Sequence, residues 1–245
     1  MTWSDKTVLI TGGSRGLGLA LAHELGQRGA RLALVAQHAG RLQEAAEQLR
    51  ARDIRVEPIR ADVGDKAAIH RIVGQAQAVL GPIDVLLHNA STLGPIPLAS
   101  LLDTDCEDFT RVLEVNLVGP FRLSKALAAG MLVRGHGLIA HISSDAAIAS
   151  YPDWGAYGVS KAALDHLSRQ WAAELNNTPV RVLSIDPGEM NTDMHRDALP
   201  TADPSTLLAP QLVAERIVYI LERAARYPSG ARVLAAHAEE QAVQS

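Results

Sequence analysis

The chain has 245 residues, 47% of them hydrophobic and 20% charged, enough to bury a sizeable core without disulfides or metals. A formal net charge of -4 and a pI near 6.1 give no overall drive toward nucleic acid or an anionic membrane, so small-molecule work is the expected class. The single cysteine, Cys106, excludes an intrachain disulfide, nine scattered histidines show no metal-ligand spacing, and a cytoplasmic location is the default expectation.

Met1 to Asp5 lacks a basic-then-apolar leader pattern. The longest uncharged span, Val85 to Leu102, holds His88, Asn89, Gly94, Pro95 and Pro97, which no lipid-spanning helix would favour. A soluble chain is expected.

Short apolar runs alternate with helical patterns from the start. Thr7 to Thr11 reads as a strand, Leu17, Leu21 and Leu25 as a helix ended by Gly29, and Leu32 to Ala36 as a second strand. A helix through Leu42, Ala45 and Leu49 follows, then a strand at Val56 to Ile59, a helix through Ile69, Ile72, Val73, Ala76 and Leu80, and a strand at Ile83 to Leu87. Strands apolar throughout imply burial on both faces, and repeated βαβ units with no linker predict one doubly wound α/β domain over 1–245, a parallel sheet between two helix layers.

The first strand-to-helix turn is Thr11-Gly12-Gly13-Ser14-Arg15-Gly16-Leu17-Gly18. Gly12, Gly16 and Gly18 allow a tight turn, close approach to a pyrophosphate and tight helix packing, while the helix N-terminus offers free N–H groups. The same residues spell Gly12-x-Ser14-x-Gly16, the pattern of a hydrolase nucleophile elbow, but no loop precedes the first strand to complete an oxyanion hole.

Further on, Thr104 with Glu107 forms a capping-box pattern expected to start a long helix through Arg111, Asn116 and Lys125. Pro120 lacks the N–H that would bond the carbonyl of Asn116, so a kink that frees this carbonyl is expected. Leu138 to Ile142 reads as a buried strand ending at Ser143 and Ser144. In the next helix Tyr157 and Lys161 stand at i and i+4 on one face, ahead of Leu164, Leu167, Trp171 and Leu175. A tyrosine titrates near pH 10 and is a poor base unless a cation favours its phenolate, a task Lys161 is placed to perform while a serine hydroxyl holds a carbonyl oxygen.

Thr-Gly-x-x-x-Gly-x-Gly at 11–18, Asp62-Val63, Asn89-Ala90, Asn116, Ser144, Tyr157-x-x-x-Lys161 and Pro187-Gly188 to Thr192 occur in an order that resembles the short-chain dehydrogenase/reductase family, in its compact form. The resemblance spans nearly the whole chain. It implies an oxidoreductase that interconverts a carbonyl and an alcohol, with Tyr157 as acid and base, Ser144 rather than Ser143 holding the substrate oxygen, Lys161 on the nicotinamide ribose, and Asn116 holding a relay water. The cofactor is implied to lie against Gly12, Ser14, Arg15, Gly16, Leu17, Gly18, Gln37, His38, Asp62, Val63, Asn89, Ala90, Pro187, Gly188, Met190 and Thr192, with Asp62 accepting from the adenine amino group and Thr192 binding the carboxamide.

Val35-Ala36-Gln37-His38 carries no carboxylate to bind a ribose 2′-hydroxyl, whereas Arg15 suits a 2′-phosphate with His38 and Arg41 close in sequence, so NADP(H) is favoured over NAD(H). Gln37, His88 and Ser91 depart from the family pattern. Leu93, Ile96, Ala146, Ile148, Tyr151, Trp154, Met190 and Met194 suggest a largely apolar substrate pocket, to which Asp145, Glu189 and His195 add polarity. The irregular, Pro- and Asp-rich stretch at about 189–210 suits a substrate lid. Asn177-Thr178-Pro179 ends the Tyr157 helix, Val180 to Ile185 reads as a strand, Leu212 to Leu221 as the last helix, Val233 to Ala235 as an edge strand and His237 to Ser245 as a surface tail. Family analogy adds a homodimer or homotetramer through the helices at about 105–133 and 155–176. Two other readings are a catalytically idle NADP-binding regulatory or scaffold protein, and a serine hydrolase using Ser14.

Overall fold

The computed structural model describes residues 2–237. Seven strands, β1 (Thr7–Thr11), β2 (Arg31–Ala36), β3 (Val56–Arg60), β4 (Val85–His88), β5 (Gly137–Ile142), β6 (Val180–Asp186) and β7 (Arg232–Leu234), form one sheet in the order β3-β2-β1-β4-β5-β6-β7. Every pairing is parallel. Because side chains alternate along a strand, Val8 and Ile10 of β1 face one layer and Leu9 the other. The first layer holds α1 (Gly16–Gln27), α2 (Ala39–Arg50) and α8 (Pro210–Glu222); the second holds α3 (Ala68–Leu80), α5 (Gly119–Arg134) and α6 (Gly155–Glu174). This is the doubly wound α/β architecture expected of strands buried on both faces. Strand order reverses between β1 and β4, which opens a crevice at their carboxyl ends.

Three local expectations are corrected. Thr104 does not cap a helix: α4 (Cys106–Leu113) begins after Asp105, and the Thr104 hydroxyl instead donates back to the Ser100 carbonyl at 2.7 Å. Glu107 and Asp108 still place negative charge in the first turn, where the helix dipole favours it. The long helix is also not kinked α-helix throughout. Between α4 and α5, Glu114–Val118 forms a π-helical turn in which Gly119 N–H bonds the Glu114 carbonyl, so the break before Pro120 is a widened turn. Finally, the stretch after β6 carries α7 (Asp193–Ala198) and a short 3₁₀ turn at Pro204–Thr206, and is pinned by a bridge between Met190 and Leu208. The edge strand lies one residue earlier than expected, and most of the expected surface tail falls outside the described residues. Among the described residues no helix is long and apolar enough to cross a membrane.

Candidate active site

A cavity of about 780 Å³ runs along the carboxyl edge of the sheet, from the turn between β1 and α1 to the start of α6. Its nucleotide-shaped end is made by backbone. Gly12 (φ +68°) and Gly16 (φ +53°) adopt left-handed conformations that other residues avoid. A side chain at Gly18 would place its Cβ 2.2 Å from the Gly12 carbonyl oxygen, so only glycine lets α1 pack this close. Asn89 braces the turn: its Nδ2 donates to the Thr11 and Gly12 carbonyls at 3.0 and 3.1 Å, and the Asn89 and Ala90 N–H groups donate to the Thr11 hydroxyl. The turn thus leaves the open N-terminus of α1 facing the cavity, the cradle a pyrophosphate needs.

Ser14, Arg15, Leu17, Gln37, His38, Val63 and Ala90 line this end with Gly12 and Gly16. Gly18 and Asp62 do not. Burial opposes ionisation of Asp62, but the Gly64 N–H, Arg111 and Gln37 together hold its carboxyl below the usual range, and its ion pair with Arg111 ties β3 to α4. Arg15 is exposed and pairs with Asp193 of α7 at 3.1 Å. No histidine hydrogen-bonds Ser14 among the described residues.

At the other end Ser144, Tyr157 and Lys161 come together, as their spacing suggested. Tyr157 and Lys161 are 8% and 2% exposed, with the Lys161 ammonium 5.4 Å from the centre of the tyrosine ring. The ammonium donates to the Ile142 carbonyl at 2.8 Å. The expected lowering of the tyrosine does not occur in the protein alone. Burial pushes the Tyr157 phenol up to about 12, helped by Asp145 and Asp186 and only partly offset by the Ser144 and Ser91 hydroxyls. Burial also brings Lys161 down to about 8, against the pull of Asp165 and Asp186. A cation itself weakened by desolvation and turned to a backbone carbonyl leaves the phenol protonated at neutral pH.

Asn116 does not line the cavity. It is buried, and its side chain bonds the Thr92 N–H and carbonyl at 2.8 and 2.9 Å and the Ser160 hydroxyl at 2.9 Å. Ser160 in turn donates to the Tyr157 carbonyl. The π-helical turn therefore aims Asn116 at the joint between the loop after β4 and the helix that carries Tyr157. Ser144 donates to Asp145 Oδ1 at 2.9 Å, and Tyr151 donates to Asp145 Oδ2 at 2.8 Å. Pro187, Gly188, Met190 and Thr192 line the floor, and Thr192 caps α7 by accepting from the His195 N–H.

Sequence reasoning missed a buried charge cluster behind these residues. Arg232 of β7 donates to Asp165 at 3.1 Å, to Asp186 at 2.7 Å and to the carbonyl of Ser144 at 3.0 Å. Asp165 accepts from Ser184, and Asp186 accepts from the Gly188 N–H. One guanidinium thus ties α6, the end of β6 and the loop that carries Ser144. His88 and His141 stack in the sheet beside it, ring centres 4.8 Å apart, and bond Ser124 and Ser168. Burial lowers both rings, His141 to about 3, so both are neutral.

A family model described as short chain dehydrogenase matches residues 6–203. The 2-(S)-hydroxypropyl-CoM dehydrogenase 3 of Xanthobacter autotrophicus is 30% identical over 241 residues, covering 93% of each chain. Two solved structures at 24% identity show the shared fold: a short chain dehydrogenase from Shigella flexneri complexed with NADP (TM-score 0.89, 96% of this chain and 98% of that one), and an NAD⁺-bound xylitol dehydrogenase (TM-score 0.85, the same coverage).

Proposed function

The chain belongs to the short chain dehydrogenase family, and from that premise we propose an NADP(H)-dependent enzyme that interconverts a carbonyl and an alcohol with Tyr157 as its acid and base. Membership makes it an oxidoreductase of alcohol or carbonyl substrates. The finer reading rests on one observation: a single cavity joins a glycine cradle at one end to Ser144, Tyr157 and Lys161 at the other.

The residues present fit a nicotinamide dinucleotide. Its pyrophosphate would lie on the Gly12 to Leu17 turn, its adenine end between Gln37, His38, Val63 and Ala90, and its nicotinamide end against Lys161, Pro187, Gly188, Met190 and Thr192. Asp62 would act from behind the cavity wall, by fixing β3 through Gly64 and Arg111. A reduced nicotinamide supplies a hydride. Tyr157, protonated at neutral pH, would give its proton to the carbonyl oxygen, and Ser144 would hold that oxygen. A phenol that keeps its proton is the form that reduction requires. Lys161 would restore the proton, and Asn116 would act by bracing the helix that carries both. Exposed Arg15, with no carboxylate at the end of β2, supports NADP(H) over NAD(H).

The region at about 189–210 would act as the substrate lid, its first helical residue held to the glycine turn by Arg15. Exposed Phe121 and Val133 on α5 and Val159 on α6 support a homo-oligomer. A cytoplasmic location and a single domain over 1–245 complete the reading.

Titration of the purified protein with NADPH and NADH by nicotinamide fluorescence, followed by a panel of ketones and aldehydes, tests it. Tight NADPH binding with carbonyl-dependent oxidation, reduced about 10³-fold in Tyr157→Phe with binding retained, is the expected result. Binding without turnover across the panel would favour the idle module instead.

A further inference from the structure

Ser144 has one proton to donate, and Asp145 Oδ1, 2.9 Å from the serine oxygen, competes for it with the neighbouring Tyr157 phenol. The Ser144 oxygen meanwhile accepts from the Ala146 N–H at 3.2 Å. A serine that gives its proton to Asp145 cannot also donate to a substrate carbonyl. When a carbonyl takes that proton, Asp145 Oδ1 loses its partner beside the reacting carbon, while Oδ2 keeps Tyr151. Asp145 is exposed, so water can take the vacated oxygen in the free protein, and a substrate that covers the site must supply a donor in place of that water. Because Oδ1 stands 2.9 Å from the serine oxygen that would hold the carbonyl, a donor on the carbon next to the carbonyl would lie within its reach.

The surroundings of Asp145 give the same direction. Burial opposes its ionisation, but the Tyr151 and Ser144 hydroxyls and the Ala146 N–H hold the carboxyl below the usual range, so it is an anion. Among the described residues no Lys, Arg or His lies within 4.0 Å of its oxygens. The two arginines on the cavity wall, Arg15 and Arg111, stand at the nucleotide end and pair with Asp193 and Asp62. Lys161 is buried against Ile142. Glu189 adds a second negative charge to the same end of the cavity. A substrate carboxylate next to the carbonyl would meet a like charge at Asp145 with no free Lys or Arg to receive it, and His195 on the same wall already faces Glu189 at 3.9 Å.

We propose that Asp145 is a specificity-determining residue that selects carbonyl substrates carrying a hydroxyl or ammonium group on the adjacent carbon, and vicinal diols or amino alcohols in the reverse direction, while rejecting 2-oxo acids. The proposal rests on the oxidoreductase reading. It assigns Asp145 a contact with the substrate that is separate from proton transfer, which remains with Tyr157.

Four small compounds of nearly equal size test it: hydroxyacetone, aminoacetone, butanone and pyruvate. The readout is the ratio of kcat/KM values, in the wild type and in Asp145→Asn, with NADPH titration of each protein as the control for folding. The wild type should prefer hydroxyacetone and aminoacetone over butanone by about tenfold or more and should use pyruvate least. In Asp145→Asn the aminoacetone preference should fall by about tenfold and pyruvate should gain relative to butanone. Equal use of hydroxyacetone and butanone by the wild type, or ratios unchanged in the variant, would overturn the proposal. Failure to turn over any carbonyl with either nucleotide would instead remove the oxidoreductase reading, and the proposal with it.

Discussion

The two ends of the cavity are built by opposite means. The nucleotide end is backbone: left-handed glycines, a helix terminus and amide braces, with its charged side chains Arg15 and Arg111 at the surface. The chemical end is side chain: buried Lys161, Asp165 and Asp186 and half-buried Arg232 gather two positive and two negative charges behind Tyr157 and Ser144. Backbone fixes a shape that every dinucleotide shares. Buried charge fixes a protonation state, and it does so only while all its members are present. The first end should therefore respond to changes in volume, and the second to changes in charge.

Arg232→Met sharpens the contrast most, because it leaves Asp165 and Asp186 to face Lys161 alone. Loss of one partner from a largely buried ion cluster should lower stability by about 3–5 kcal/mol, read by denaturant unfolding, and an unaffected midpoint would show that the cluster is not balanced as described. Gly18→Ala tests the other end by volume alone. Its new Cβ would lie 2.2 Å from Gly12 O and 2.5 Å from Asn89 Nδ2, so the turn must shift. We expect a loss of about 2–3 kcal/mol and weakened binding of both nucleotides alike.

The neutral histidines supply a pH test of the buried end. The folded-state pKa of His141, about 3, lies below the unfolded value of 6.5. The unfolded chain therefore binds the proton first, and the stability this ring contributes is whole above pH 6.5 and declines as pH falls toward 3. By pH 5 the loss from His141 alone should be about 2 kcal/mol. In His141→Gln the fall in stability between pH 7.5 and 5 should be smaller by that amount; parallel curves would contradict the assignment. Smallest is Arg15→Ala. It removes a surface cation and should weaken NADPH binding about tenfold while leaving NADH unchanged, as titration of both would show.

The same contrast explains what was legible in the sequence. Gly12, Gly16 and Gly18 lie within seven consecutive residues, and Tyr157 and Lys161 within one helical turn, so local spacing was enough to find them. Asp165, Ser184, Asp186 and Arg232 come from three elements and meet only when β6 pairs with β7. Read singly, Arg232 is one charged residue in a short strand, and no local pattern marks it as half-buried. Asn116 was found, but the side-chain bonds by which it braces the Tyr157 helix were not, because proline spacing predicts a freed backbone carbonyl and not where a side chain then points. The raised pKa of the tyrosine in the protein alone was hidden for a related reason. Position i+4 puts a cation nearby, yet the depth of burial that raises the phenol and weakens the cation belongs to the folded molecule.

The π-helical turn at Glu114–Val118 bears on which insertions and deletions the gene can tolerate. Such a turn amounts to an α-helix carrying one residue more than its regular repeat. Because the widened turn absorbs that extra residue, deleting one residue between 114 and 118 would restore regular helix and leave the residues that follow near their present faces. Leu123, Leu127 and Met131 would stay packed under the sheet, and the change would fall on where Asn116 points. A shortening of one codon here should therefore be better tolerated than one inside the regular helix α5.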